Sequence, residues 1–420
     1  MYPVLKKGKL KLKSWMKWPE TISVLKALRS QGDHALFVGG CVRDSFLNKP
    51  VVDIDIATSA RPPKTLRLLK KAKIKGIATG MSHGTITAVC GNKKFEITTL
   101  RQDVETYGRK AKVLFTNNWE EDAMRRDFSL NAIYSNEYGE IFDPFFGLSD
   151  LINAKVRFIG NPEARIKEDF LRILRFFRFY SLYGSGKPDG KAIRSCKKMS
   201  KFLTKLSSER VWGEMKKILV SRRAFDVISL MHKSRILAHL SIKSASIAHM
   251  KKILLLEEEL QKADPIRRLA SLFCRNKNLH TDISNVSKRM KLSGIENRRL
   301  FFLLQHLRDI SRKRNIESWR RNGHGLEASF FEDILFLYSS FRQENISRKK
   351  IFCEKMLKQY KLWQSKKFPI SGNDIISLGV SEGKRVGQIL NSLKLWWIDG
   401  NFQATKTSCL QRAKKMLDTE

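Results

Sequence analysis

A change of hydrophobic period near residue 150 constrains this chain more than any other feature. Before it, short apolar and β-branched runs predict strands. Ala35 to Val38 is one such run, broken by Gly39-Gly40, and residues 51–56 are a second, in which Asp53 and Asp55 alternate with Ile54 and Ile56. Residues 84–90 and 94–99 flank Gly91-Asn92 as a hairpin does. Ile22, Leu25 and Leu28 predict a helix over 21–29 closed by Gly32, and Pro62-Pro63 opens another that runs to about Ala72. After residue 150 strand signals almost vanish and long amphipathic helical patterns take over, with breaks near 184–190, 322–325 and 369–372. Period 2 buries one face of a sheet and period 3.6 one stripe of a helix. The chain is therefore expected to fold as a small α/β head followed by an all-α remainder.

The net charge of +40 narrows the partner. Self-repulsion on that scale opposes compaction, so it implies a polyanion. Nucleic acid comes first and an acidic membrane surface second. The basic residues run along the whole chain, which suits a long ligand. Lys6, Lys7, Lys9, Lys11 and Lys13 read as a basic arm facing that ligand. No segment approaches the roughly 18 apolar residues of a membrane span. The cysteines, at 41, 90, 196, 274, 353 and 409, form no C-x-x-C pair, which argues against zinc. With no secretory signal ahead of them, they suit a reducing, cytoplasmic location.

Three constellations carry chemistry. In the first, Gly39, Gly40 and Arg43 precede Asp53-Ile54-Asp55. Glycines between a strand and a helix admit a phosphate close to the backbone. Residues i and i+2 of a strand face one way, so Asp53 and Asp55 converge, and two close carboxylates repel unless cations sit between them. Mg²⁺ suits one or two carboxylates plus phosphate oxygens. The plain alternative is a solvated polar face. Glu96, on a neighbouring strand, is either a third acid or a partner of Arg101. The second constellation is Arg125-Arg126-Asp127, with Asn131. Its guanidiniums suit a triphosphate and its Asp and Asn suit ribose hydroxyls. The third is the segment from Glu168 to Arg178. Read as one helix, it buries Phe170, Ile173, Leu174 and Phe177 and sets Asp169 beside Arg172 on the open side. That pair offers an acceptor and a forked donor. Cytosine and adenine present the complementary order, uracil and guanine the reverse. An i,i+3 surface salt bridge is the plain alternative.

These motifs, in this order, resemble the class II tRNA nucleotidyltransferases, the bacterial and eukaryotic CCA-adding enzymes of the DNA polymerase β-like superfamily. G-G-x-V-R-D and D-x-D match residues 39–55, and R-R-D-F-S-x-N-A matches 125–132. D-P-F-x-G-L-x-D-L matches 143–151, E-D-x-x-R-x-x-R matches 168–175, and S-x-E-R-x-x-x-E-M-x-K-I-L matches 207–219. The stretch from Phe368 to Val380 is similar to the tail of bacterial members, whereas 226–360 is alike only in being helical and basic. The resemblance implies addition of C and A from CTP and ATP to the tRNA 3′ end, with release of pyrophosphate. Asp53 and Asp55 would hold two Mg²⁺ ions. Arg126 and Asp127 would contact phosphate and ribose, and Asp169 and Arg172 would act as the protein template. Arg175 would reach the triphosphate with Arg178 beside it, and Glu209 and Arg210 would buttress the template helix. Residues 103–118, with Gly108, Arg109, Lys110 and Lys112, correspond to the mobile loop that helps switch from C to A. The implied shape is a seahorse: head 1–150, neck 151–225, body 226–330 and tRNA-binding tail 331–420. No obligate protein partner is expected.

A bacterial poly(A) polymerase is the nearest rival, but its group carries a basic, Phe-containing segment where this chain reads Ala78 to Thr85 with His83 and no Arg. Partial enzymes that add only CC or only A are a further alternative, against which the presence of the 103–118 loop favours complete CCA addition. A non-catalytic RNA-binding protein on this fold is the alternative from another class, and the intact Asp53/Asp55 pair argues against it.

Overall fold

A computed structural model of the protein describes residues 3–6, 10–107, 110–243, 245–273, 279–310 and 316–418. The chain forms two compact units, Met1–Ser241 and Ile242–Glu420.

The first unit opens with α1 (Pro19–Arg29), whose Val24, Leu25 and Leu28 are buried. Then come β1 (Ala35–Val38), α2 (Gly40–Phe46), β2 (Ile54–Thr58) and α3 (Pro62–Lys71). The strands β3 (Lys75–Gly80), β4 (Thr85–Cys90) and β5 (Lys93–Thr99) follow. A separate two-stranded ribbon joins β6 (Arg101–Tyr107) to β7 (Lys110–Phe115). After α4 (Trp119–Met124), the short β8 (Tyr134–Ser135) and β9 (Ile141–Phe142) complete a seven-stranded sheet. Its order is β3-β4-β5-β2-β1-β8-β9. Strand β1 is buried along its whole length, as a central strand must be. Strand β2 pairs antiparallel with β1 and parallel with β5. Leu36, Val38, Ala57, Leu100, Trp119, Ala132 and Tyr134 pack as one core beneath this part of the sheet. The rest of the unit is helical: α5 (Gly147–Ile152), α6 (Pro162–Glu168), α7 (Leu171–Tyr183), α8 (Gly190–Met199), α9 (Ser208–Leu219) and α10 (Ala224–Lys233).

The regular structure of the second unit is all helical among its described residues. It comprises α11 (Ile247–Leu260), α12 (Pro265–Ser271), α13 (Leu279–Met290), α14 (Gly294–Ile310) and α15 (Ile316–Gly323). These are followed by α16 (Ala328–Phe341), α17 (Ile346–Gln364), α18 (Gly372–Ile376), α19 (Lys384–Asp399) and α20 (Lys406–Asp418). Among the described residues no helix is long and apolar enough to cross a membrane.

The structure corrects three expectations. The second strand runs over Ile54–Thr58 rather than 51–56. Its ladder with β5 begins at Ile54, and Val52 is 88% exposed, so no core contact draws 51–53 into the sheet. The helix expected at 21–29 starts two residues earlier, where Pro19 takes the first helical position. The segment Glu168 to Arg178 is two helices, because Asp169 is extended (φ −152°, ψ 107°) and ends α6. The ribbon β6–β7 occupies the segment expected as a mobile loop; Gly108 and Arg109, like Lys7, Lys9 and Cys274, lie outside the described residues.

Candidate active site

The sheet aims its acids at one edge of a cleft. In β2, Ile54 and Ile56 are buried and Asp55 between them is half-buried. The parallel register sets Asp55 directly beside Glu96 of β5, where Phe95 and Ile97 are buried and Glu96 is exposed. Neighbouring strands lie about 4.8 Å apart, so the two side chains share one face. Asp53 stands one residue ahead of β2 and is exposed. Burial pushes the Asp55 carboxyl up to about 6, and the negative charges of Glu96 and Asp53 push the same way. The sequence left Glu96 two roles. The structure places it with Asp55, while Arg101 stands 3.4 Å from Asp103.

Above the acids lies a cleft of about 470 Å³, within the ordinary range for small-molecule sites. Seven arginines and four aspartates line it: Arg43, Arg101, Arg125, Arg126, Arg172, Arg175 and Arg210 against Asp55, Asp103, Asp127 and Asp169. Gly39, Gly40, Asn131, Leu171 and Phe179 complete the wall. The excess of cations suits a polyphosphate.

Each arginine is held by a carboxylate or carbonyl that also aims it. Asp122, 1% exposed, accepts from Arg125 Nε and Nη2 (3.0 and 2.8 Å), Arg126 Nη2 (3.1 Å) and the Tyr134 hydroxyl (2.7 Å). Burial opposes its charge, but Arg125 and Arg126 hold its carboxyl well below the usual carboxylate range. Arg126 also donates to the Asn131 carbonyl and the Tyr134 hydroxyl. Asp127 accepts from Arg175 Nε (2.6 Å) and Asn131 Nδ2 (2.9 Å). Burial works to raise its carboxyl, and Arg175 more than offsets that. Arg43 donates to Asn131 Oδ1 (2.5 Å) and to both oxygens of Asp44. Gly39 has φ +74°, a conformation L side chains rarely adopt, and a Cβ there would stand 3.5 Å from Arg126 Nη1.

Asp169 and Arg172 do not pair with each other, so the plain salt-bridge reading fails. Asp169 Oδ2 accepts from Arg210 of α9 (2.6 Å) and Oδ1 caps α7 at Leu171 N (3.1 Å). Arg172 is tied to Glu168, the Arg165 carbonyl and the Arg125 carbonyl. The break between α6 and α7 thus presents a carboxylate and a guanidinium, each fixed from outside the pair. Of the two residues expected to buttress the template helix, Arg210 stands against Asp169.

Three expected site residues do not line the cleft. Asp53 and Glu96 stand at its acidic edge, and Arg178 is ion-paired with Glu214 (2.6 Å) and lies over Phe179. Arg101 and Asp103, which no sequence motif marks as site residues, line the cleft, and Asp122 braces two of its arginines. Burial pulls Arg101 down to about 10, with the Arg125 charge adding to the effect. The one signal available in the sequence was their closeness to Glu96 and to the Arg125-Arg126 pair.

Among the described residues no group of three or more His, Cys, Asp or Glu side chains forms a metal cage. The acidic edge suits a cation in another way. Two or three carboxylates raise one another's affinity for protons, and a hard divalent ion takes one or two of them with phosphate oxygens.

Residues 35–157 match the family described as Poly A polymerase head domain, and 188–243 match the probable RNA and SrmB-binding site of polymerase A. The chain is 33% identical over 413 residues to human CCA tRNA nucleotidyltransferase 1, mitochondrial, covering 94% of this chain and 90% of that protein. It is 30% identical over 406 residues to the CCA-adding enzyme of Ligilactobacillus salivarius, covering 95% and 96%. The crystal structure of the Bacillus stearothermophilus CCA-adding enzyme in complex with CTP superposes with a TM-score of 0.77 at 25% identity, covering 97% of this chain and 99% of that one.

Proposed function

Because this chain belongs to the CCA tRNA nucleotidyltransferase family, we propose that its arginine-lined cleft holds CTP or ATP with the α-phosphorus facing the acidic edge at Asp53, Asp55 and Glu96. The protein is a nucleotidyltransferase that adds C and A to the 3′ end of tRNA. The observation that carries our assignment of the site is the parallel register of Asp55 and Glu96 beneath a cleft with seven arginines.

In this reading the terminal tRNA 3′-hydroxyl attacks the α-phosphorus and pyrophosphate departs. Arg126 and Arg175 lie against the triphosphate, where preorganised positive charge counts most as charge moves to the leaving group. Gly39 and Gly40 let the backbone approach it, and Arg43 braces Asn131. Asp127 and Asn131 face the ribose. Asp169 accepts from the exocyclic amino group of C or A, and Arg172 donates to the ring nitrogen beside it. Each Asp169 oxygen is engaged once and has a second lone pair for a base. Arg210 and Glu168 act through these two as positioning residues. Two Mg²⁺ ions, held by Asp53 and Asp55, would supply charge neutralisation and a more acidic hydroxyl. The division into head, neck, body and tail is ours for the path of the tRNA, and no further protein is invoked.

We assign the chain to the cytoplasm on its scattered cysteines, of which Cys41, Cys90, Cys196, Cys353 and Cys409 are free. Fractionation of the source cell tests this, since the human relative's name includes mitochondrial. The test of function is product sequencing after incubation of end-truncated tRNA with CTP and ATP. Ordered CCA ends are expected. A long tail from ATP alone would instead indicate a poly(A) polymerase, and arrest at CC or a lone A a partial enzyme. RNA binding without transfer at any Mg²⁺ concentration would indicate a non-catalytic module.

A further inference from the structure

Arg101 and Asp103 line the cleft, yet the roles above use neither. They sit two apart on β6, so their side chains leave the same face. Arg101 is fixed at both ends. Its backbone N–H donates to Asp122 Oδ1 (3.3 Å), and its Nη1 donates to the His83 carbonyl. Its Nε stands 3.4 Å from Asp103 Oδ1, beyond the ~2.7–2.9 Å of a direct charge-assisted bond. Both atoms are buried, and among the described residues neither has a hydrogen-bond partner. One step further along, the ribbon's ladder shifts register between Asp103 and Glu105. Such irregularities beside active sites re-aim side chains.

A buried donor and a buried acceptor are costly unless something satisfies both. A phosphate oxygen would satisfy Arg101 and repel Asp103, and an amino group would do the converse. A hydroxyl accepts and donates through one oxygen, so a single hydroxyl meets the needs of both groups once a small shift of the two side chains lets it in. We propose that Arg101 and Asp103 form a binding site for a ribose 2′-hydroxyl, the group that separates ribonucleotide from deoxyribonucleotide. The inference rests on the nucleotidyl-transfer reading. Two riboses bring that group to the cleft, one on the incoming nucleotide and one on the terminal residue of the RNA.

The experiment uses the full chain, with CTP or 2′-deoxy-CTP, on RNA ending in ribose or in 2′-deoxyribose. Wild type is compared with Asp103→Asn and Arg101→Lys. One ribo-over-deoxy preference should fall at least about tenfold in both variants, because use of the ribo form slows more than use of the deoxy form. A fall in the nucleotide arm assigns the incoming ribose, and a fall in the RNA arm assigns the terminal one. Equilibrium binding of the same four ligands gives the same ratios where turnover is too slow. Ratios unchanged in both arms, with ribo and deoxy forms weakened alike, would mean a structural pair and overturn the proposal. Failure of the underlying reading looks different: wild type would add no CMP to ribose-ended tRNA.

Discussion

Asp122 offers the sharpest test of how the cleft is held together. It touches no proposed substrate position, yet Arg125, Arg126 and Tyr134 all donate to it. Asp122→Asn keeps the shape, removes the charge and turns one acceptor into a donor facing guanidinium N–H groups. Breaking a buried ion pair on one side costs about 3–5 kcal/mol, because the other charge stays buried. At about 2–4 °C per kcal/mol for a unit of this size, the first unit should melt roughly 6–20 °C lower. Thermal unfolding followed by fluorescence measures this, and the Michaelis constant for CTP should rise as Arg126 loses its brace. The pH dependence carries a sign. The folded carboxyl is held below its unfolded range, so its contribution is fully present above the ordinary carboxylate pKa near 4 and is lost as pH falls toward the depressed folded value. The gap between wild type and variant should therefore be flat from pH 5 to 8 and close only under strong acid. A variant within about 1 kcal/mol of wild type, or a gap that changes between pH 5 and 8, would refute the argument.

Other consequences are simpler to read. Asp55→Ala should lower turnover at least about a thousandfold while tRNA affinity holds; turnover within about tenfold of wild type contradicts the metal role. Arg172→Ala should blur the choice of CTP over UTP more than it slows addition, and undiminished discrimination in competition assays removes it from the template. Gly39→Ala, forced to φ +74°, should lose about 1 kcal/mol or more of stability together with CTP affinity, both measurable on one preparation. In the second unit, buried Glu257 binds Arg267 and Arg268. Glu257→Gln should destabilise that unit by about 3–5 kcal/mol in denaturant titration and leave the Michaelis constant for CTP unchanged.

Several features were legible in the linear chain because they depend on neighbours within a few residues. The switch from period 2 to period 3.6, the Gly39-Gly40 turn and the alternation of Asp55 with Ile54 and Ile56 are local consequences of backbone geometry. The order of the motifs carried the family. What could not be read was anything set by contact across the fold. Five separate segments supply the seven arginines of the cleft, and no spacing shows that Arg43, Arg101, Arg126, Arg172 and Arg210 meet. The register that sets Asp55 beside Glu96 comes from a parallel pairing of strands some forty residues apart. Helical spacing even misled at Asp169, where the pull of Arg210 and the capping of α7 outweigh a continuous helix. Composition and period decided which elements this chain forms, since those respond to local sterics and to burial of one face. The tertiary structure alone decided which charges become partners, because a buried ion pair depends on distance in space and on water excluded by residues far away in sequence.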